Sequence, residues 1–138
     1  EFDFDLDAAA DEHTKRVPAF LADALNGAEW PGKRIWMNPP YAQPLMGQFA
    51  SKFAEAVRGG SSGIVLVNNA TETAWFQTIA AECSAICFPR SRIRFLDPQG
   101  NASGAPLQGQ AIVYCGNERA AFRDAFSAFG LVVSHGDI

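Results

Sequence analysis

Short apolar runs alternating with stretches of helical period predict an α/β fold, with a mainly parallel sheet and helices on both faces. Three observations lead there. Ile64 to Val67 is a continuous apolar run, as in a strand buried on both sides. Leu45, Phe49, Phe53 and Val57 recur every four residues, the stripe of an amphipathic helix. The 138 residues, 48% hydrophobic and 19% charged, suffice for one compact core and not for two. Residues 1–138 are therefore expected to form a single domain.

In chain order, Phe2 to Leu6 alternates apolar and acidic residues, the period of a half-buried strand. Phe20, Leu21 and Leu25 follow Pro18 and read as one or two helical turns ending near Asn26-Gly27. Lys33 to Met37 reads as a strand, with Ile35 and Met37 on one face and Trp36 on the other; Pro39-Pro40 stops it. Residues 44–58 read as the amphipathic helix, and the glycines and serines of 58–63 as its exit loop. After the strand at Ile64, Trp75, Phe76 and Ile79 mark a helix and Ala85 to Phe88 a strand. Residues 97–109, rich in Pro, Gly, Asn and Ser, read as a loop. Ala111 to Cys115 is a strand, Phe122, Phe126 and Phe129 line a helix, and Leu131 to Val133 is a last strand.

The net charge of −4 argues against a protein that merely coats nucleic acid, since phosphate neutralisation favours a basic surface. It leaves room for an enzyme touching DNA through one local basic patch. No apolar run approaches the roughly 20 residues that cross a bilayer, and no signal peptide is visible. Cys83, Cys87 and Cys115 lie among apolar residues without zinc-type spacing, so buried free thiols in a cytoplasmic setting are expected, and no metal. His13 and His135 stand far apart with no nucleophile pattern beside them.

The chemistry concentrates in Asn38-Pro39-Pro40-Tyr41, directly after the Ile35-Trp36-Met37 strand. Ligands in such sheets bind at the carboxyl ends of strands. The prolines fix their own backbone angles, and Pro39 holds Asn38 extended. The stiffened segment offers two acceptors, the Asn38 side-chain oxygen and the Pro39 carbonyl, and the flat face of Tyr41. Two converging acceptors suit an amino group conjugated to a ring, whose hydrogens they would bind while its nitrogen is aligned with a methyl donor. In duplex DNA that nitrogen lies within the stack, so the base must be flipped out. A surface turn is the plain alternative for an Asn-Pro-Pro run, and its position after a hydrophobic strand weighs against that.

Phe4 to Asp11, then Asp23-Ala24-Leu25, then Trp30 to Tyr41 follow an order that resembles the phage-type DNA N-6-adenine methyltransferase (Dam) family. Val65-Leu66-Val67 leading to Thr71 to Phe76, and Arg90 to Phe95, are similar too, so the likeness spans most of the chain. The resemblance implies a Rossmann-like fold that binds S-adenosylmethionine and methylates adenine in DNA. On it, Asp5, Asp7 and Ala8 match the first cofactor-binding segment, and Asp23 with Leu25 the acidic site that meets the cofactor's adenine. Asn38, Pro39, Pro40 and Tyr41 match the catalytic loop. The family usually carries an upstream Trp-x-Thr-Pro element that helps bind the cofactor, and the sequence begins after its place, which fits either a sequence cut short before Glu1 or a naturally short copy lacking that segment. Glu12-His13-Thr14 and Arg16 to Leu21 also depart from the family's residues. Only thirty-one positions separate Asp7 from Asn38, about one strand-helix-strand unit, so one strand of the usual sheet is expected to be short or missing.

Arg90, Arg92 and Arg94 form the densest basic stretch, and alternation places them on one face, as a DNA phosphate contact needs; a solvated strand edge explains them otherwise. Asp3 reads as a solvated strand residue. A magnesium site on Asp3, Asp5 and Asp7 ranks below the cofactor role because further ligands are lacking. Two other functions stay open: an Asn-Pro-Pro-Tyr enzyme acting on protein glutamine or on guanine in RNA, and a non-catalytic remnant that binds a nucleotide or a partner.

Overall fold

A computed structural model describes residues 6–7, 34–39, 43–91 and 109–135. Six strands and three helices lie within these residues. The strands are β1 (Leu6–Asp7), β2 (Arg34–Met37), β3 (Ser62–Asn68), β4 (Ala85–Pro89), β5 (Gln110–Cys115) and β6 (Gly130–Ser134). The helices are α1 (Leu45–Arg58), α2 (Ala74–Ala80) and α3 (Arg119–Phe126). All the strands join one sheet in the order β1-β2-β3-β5-β4-β6.

The pairings overturn the expected mainly parallel, Rossmann-like sheet with helices on both faces. Among the described residues, only β1–β2 and β2–β3 are parallel. β3–β5, β4–β5 and β4–β6 are all antiparallel. The cause lies in one connection. Where a described helix joins two strands, as α1 joins β2 to β3, the chain returns in the same direction. The β4–β5 connection, which the sequence reads as a loop over 97–109, instead reverses it. β5 then inserts between β3 and β4, and every later pairing is antiparallel. Helices are also few. Among the described residues, α1 and α2 share one face of the sheet, and the other face receives only α3, through Phe122 and Phe126.

Burial alternates with the strand period and divides the core in two. On the α1–α2 side, Ile35, Met37, Val65, Val67, Ala111 and Val113 pack under Phe49, Phe53, Trp75 and Phe76. On the α3 side, Ile64, Leu66, Ala85, Cys87, Ile112 and Tyr114 pack under Phe122, with Trp36 beside them. Each face thus removes a continuous apolar layer from water, the main favourable contribution to the fold. The stripe of α1 differs in detail from the one expected. Met46, Phe49, Ala50, Phe53 and Ala54 are buried, while Leu45 is 42% exposed. Phe129 lies past the end of α3 and is 57% exposed, so it does not extend that helix's buried side. All three cysteines are buried free thiols.

Candidate active site

β1, β2 and β3 run side by side in one direction, so their carboxyl ends share one end of the sheet. β2 delivers Asn38 and Pro39 there. The alternation of burial continues beyond the last paired residue, with Asn38 half-buried and Pro39 buried. Asn38 therefore falls on the Trp36 side of the sheet and Pro39 on the Met37 side. This agrees with the extended geometry that a following proline imposes. Pro40 and Tyr41 lie outside the described residues.

The downstream end of this loop is anchored at α1. Gln43 Oε1 accepts a hydrogen bond from the Gly47 backbone N–H at 3.0 Å, satisfying one of the donors that a helix start leaves unpaired. A Cβ on residue 47 would stand 3.3 Å from that oxygen, tighter than usual, so glycine eases the approach.

One strand away from β2, Leu6 pairs with Ile35 and Asp7 with Trp36. The Asp7 backbone thus stands at the same sheet end as Asn38. Asp5, Ala8, Asp23 and Leu25 lie outside the described residues.

On the other side, β3 ends at Asn68 opposite Gln110 of β5. Gln110 is the single buried polar residue among those described, and its Nε2 donates to Asn68 Oδ1 at 2.6 Å. Asn69 N donates to Gly109 O at 3.1 Å and closes the strand pair beyond them. The turn that follows is tied down at several points. Thr73 Oγ1 donates to Ala70 O at 2.7 Å and accepts from Phe76 N at 3.3 Å, capping α2. Gln77 Nε2 donates to Thr71 O at 2.7 Å.

β4 is parallel in direction to β2 and β3, so Arg90, just past Pro89, stands at the same sheet end as Asn38. Its Nη1 donates to Ala128 O at 2.7 Å, and its backbone N to Phe129 O at 2.9 Å. Arg90 thereby fastens the end of β4 to the turn leading into β6. Burial pushes the Cys87 thiol above its usual range, and the nearby Arg90 charge opposes this in part. Arg92 and Arg94 lie outside the described residues.

The structure therefore brings Asn38, Pro39, the Asp7 backbone and Arg90 to one end of the sheet. Sequence reasoning missed the Asn68–Gln110 pair. The one signal available was a glutamine bordering the otherwise apolar run of β5. The opposite end carries an open polar hollow of about 450 Å³ bordered by Arg34, Ser62, Ser84, Gly116 and Glu118, and no residue expected at the site lies there.

A family model described as DNA N-6-adenine-methyltransferase (Dam) matches residues 1–127, and the chain belongs to that family. A DNA N-6-adenine-methyltransferase of Haemophilus phage HP1 (strain HP1c1) is 33% identical over 97 residues, which cover 68% of this chain and 56% of the phage protein. A second protein of that description, from Escherichia phage T1, is 36% identical over 76 residues, covering 53% of this chain and 31% of its own length. The chain thus spans about half or less of these relatives. No solved structure matches it. No helix among the described residues is long and apolar enough to cross a membrane.

Proposed function

We propose that the chain transfers the methyl group of S-adenosylmethionine to the exocyclic amino nitrogen of adenine in DNA, with residues 1–138 acting as one catalytic domain. The observation that supports this most is the position of Asn38-Pro39 at the carboxyl end of β2, in a chain of the Dam family. With DNA as the substrate, the reaction belongs in the cytoplasm of a bacterial host.

The residues act by positioning. The Asn38 side-chain oxygen and the Pro39 carbonyl accept the two hydrogens of the amino group, which draws its lone pair out of conjugation with the ring and concentrates it on the nitrogen for attack. Because proline stiffens the backbone, the two acceptors keep this spacing before the base arrives, and little reorganisation remains at the moment of reaction. Tyr41 stacks on the flipped base, worth about 1–3 kcal/mol in comparable contacts. No strong base is needed, because the amino nitrogen becomes acidic once substituted and releases its extra proton to water.

S-adenosylmethionine supplies an electrophilic methyl carbon when bound. The parallel β1–β2 pairing fits this group, since it sets the Asp7 backbone beside the strand that ends in Asn38. Asp5, Asp7 and Ala8 would hold it from the β1 end, with Asp23 and Leu25 at its adenine. Arg90, Arg92 and Arg94 contact DNA phosphates. Arg90 gives one of the five N–H groups of its guanidinium to Ala128 and stands on the sheet end that faces the base.

Transfer of a labelled methyl group from S-adenosylmethionine to unmethylated DNA tests this, with the product identified in a nucleoside digest. N-6-methyladenine is the expected product; label found only in protein or RNA overturns the assignment. Asn38→Ala should lower transfer by at least about 10²–10³-fold, the scale for losing one positioned hydrogen-bonding group. Calorimetry should show cofactor binding to that variant nearly unchanged. Activity that survives the substitution overturns the mechanism.

A further inference from the structure

Burying a primary amide costs free energy unless its hydrogen bonds are met. Among the described residues, one buried side chain bears that cost, Gln110 at the head of β5. The five residues after it, Ala111 to Cys115, are all buried and apolar or weakly polar. An apolar residue at 110 would continue that layer. The glutamine instead donates through Nε2 to Asn68 Oδ1 at 2.6 Å.

The strand registers show which way this pair faces. Ile64 pairs with Tyr114, Leu66 with Ile112 and Asn68 with Gln110. The first four of these residues belong to the α3-side cluster, so Asn68 and Gln110 extend the same row to the sheet end. Asn38 extends it on β2, two residues beyond Trp36, which also packs on that cluster. In the β2–β3 register Met37 meets Val65, which sets Asn38 level with Leu66 and one strand pleat short of Asn68. At a strand spacing of about 4.8 Å and a rise of about 3.3 Å per residue, the two asparagine Cα atoms lie roughly 8 Å apart on the diagonal. A base whose amino group is held at Asn38 lies within reach of a side chain at that spacing.

The bond from Gln110 also fixes the direction of the Asn68 amide. Its oxygen turns toward β5, so its NH₂ turns away from β5, and β2 with Asn38 lies on that other side of β3. A donor is thereby presented on the same face of the sheet as the Asn38 acceptor, one strand away. Adenine offers the matching edge, since its amino group has the ring acceptor N1 beside it on the Watson–Crick face. Guanine carries a carbonyl and an N1–H there, and would set donor against donor.

We infer that Asn68, oriented by Gln110, donates a hydrogen bond to N1 of the flipped adenine and so selects the base whose amino group Asn38 receives. Asn68 is a specificity-determining residue and Gln110 a positioning residue. The inference rests on the function proposed above.

The test uses the full chain and an oligonucleotide carrying an adenine that the wild-type protein methylates, mapped first on unmethylated DNA. That adenine alone is replaced by 1-deazaadenine, which has C–H in place of N1, or by 7-deazaadenine. The wild-type kcat/KM should fall by about one to two orders of magnitude with 1-deazaadenine, the cost of leaving a buried donor unpaired. It should hold within a few-fold with 7-deazaadenine. Asn68→Ala should lose a similar factor on normal adenine and then treat adenine and 1-deazaadenine alike. Asn68→Asp keeps an acceptor for Gln110 but removes the donor, and should behave in the same way. Gln110→Met keeps the volume, removes the Nε2 donor, and should weaken the discrimination against 1-deazaadenine. A merely structural role predicts slower transfer with that discrimination intact. If Asn68→Ala discriminates as wild type does, or if 7-deazaadenine is the analogue that fails, the inference is overturned while the proposed function stands. If wild type transfers nothing to adenine in DNA, both fall together.

Discussion

Gly63 shows how closely β2, β3 and α1 approach one another. A Cβ built there would come 2.6 Å from the Phe53 ring and 2.8 Å from the Ile35 carbonyl oxygen. The backbone oxygen belongs to the paired strand and cannot swing aside. Gly63→Ala should therefore destabilise the protein by about 1–3 kcal/mol, the usual scale of overpacking, and a thermal melt will read the loss as a lowered midpoint. Since β2 also positions Asn38, methyl transfer should decline with it. The same scale shows what the sequence made legible at the site. The placement of Asn38-Pro39 at a strand end is readable from sequence, because proline has only one backbone habit and here follows a hydrophobic strand. The burial of Gln110 is not, because a glutamine beside a glycine-rich loop looks solvated until its cross-strand partner is known. Asn68 likewise reads as ordinary strand-end punctuation. Arg90 stood out through its charge, but its bond to Ala128 depends on a turn thirty-eight residues away.

At the scale of elements, most strands and helices among the described residues are readable from the sequence. Their periods are local, and α1, α2, α3 and β2 to β6 lie close to where the spacing puts them. Pairing direction was not readable. A run such as Ile64 to Val67 is buried on both faces whether its neighbour runs with it or against it, so alternation of elements wrongly suggested a parallel sheet. Its edge behaves differently from its middle. Among the described residues β6 pairs with β4 alone, and Leu131 is 66% exposed and Val133 39% exposed. The strand has no charge and no proline, the usual guards of an open edge. Leu131→Lys should leave stability within about 0.5 kcal/mol, as for other exposed positions. It should also raise the protein concentration at which light scattering first detects aggregates. A large fall in the melting temperature would mean that Leu131 packs more tightly than its exposure indicates.

For the whole molecule, the two cores make an alkaline limit to stability. Burial raises the Cys83 and Cys87 thiols above their ordinary value of 9.0 and the Tyr114 hydroxyl above 10.0. Cys115 is raised furthest, again by desolvation. In each case the folded state holds its proton more tightly than the unfolded chain. The associated stability is complete below the unfolded values and declines as pH rises past them. Denaturant midpoints should accordingly stay level up to about pH 8.5 and fall from pH 9 upward, with the native thiols reacting slowly with disulfide reagents below that point. A flat profile through pH 10.5 would show that water reaches these groups.

Inserting β5 between β3 and β4 also determines when the protein can complete itself during synthesis. Ile64 waits for Tyr114, made 50 codons later, and Val67 for Ala111, made 44 codons later. Until then the central strand leaves the ribosome with one edge bare. Residues 110–115 must be made before that edge is closed, and a nascent chain in this state exposes an unpaired strand edge to its neighbours.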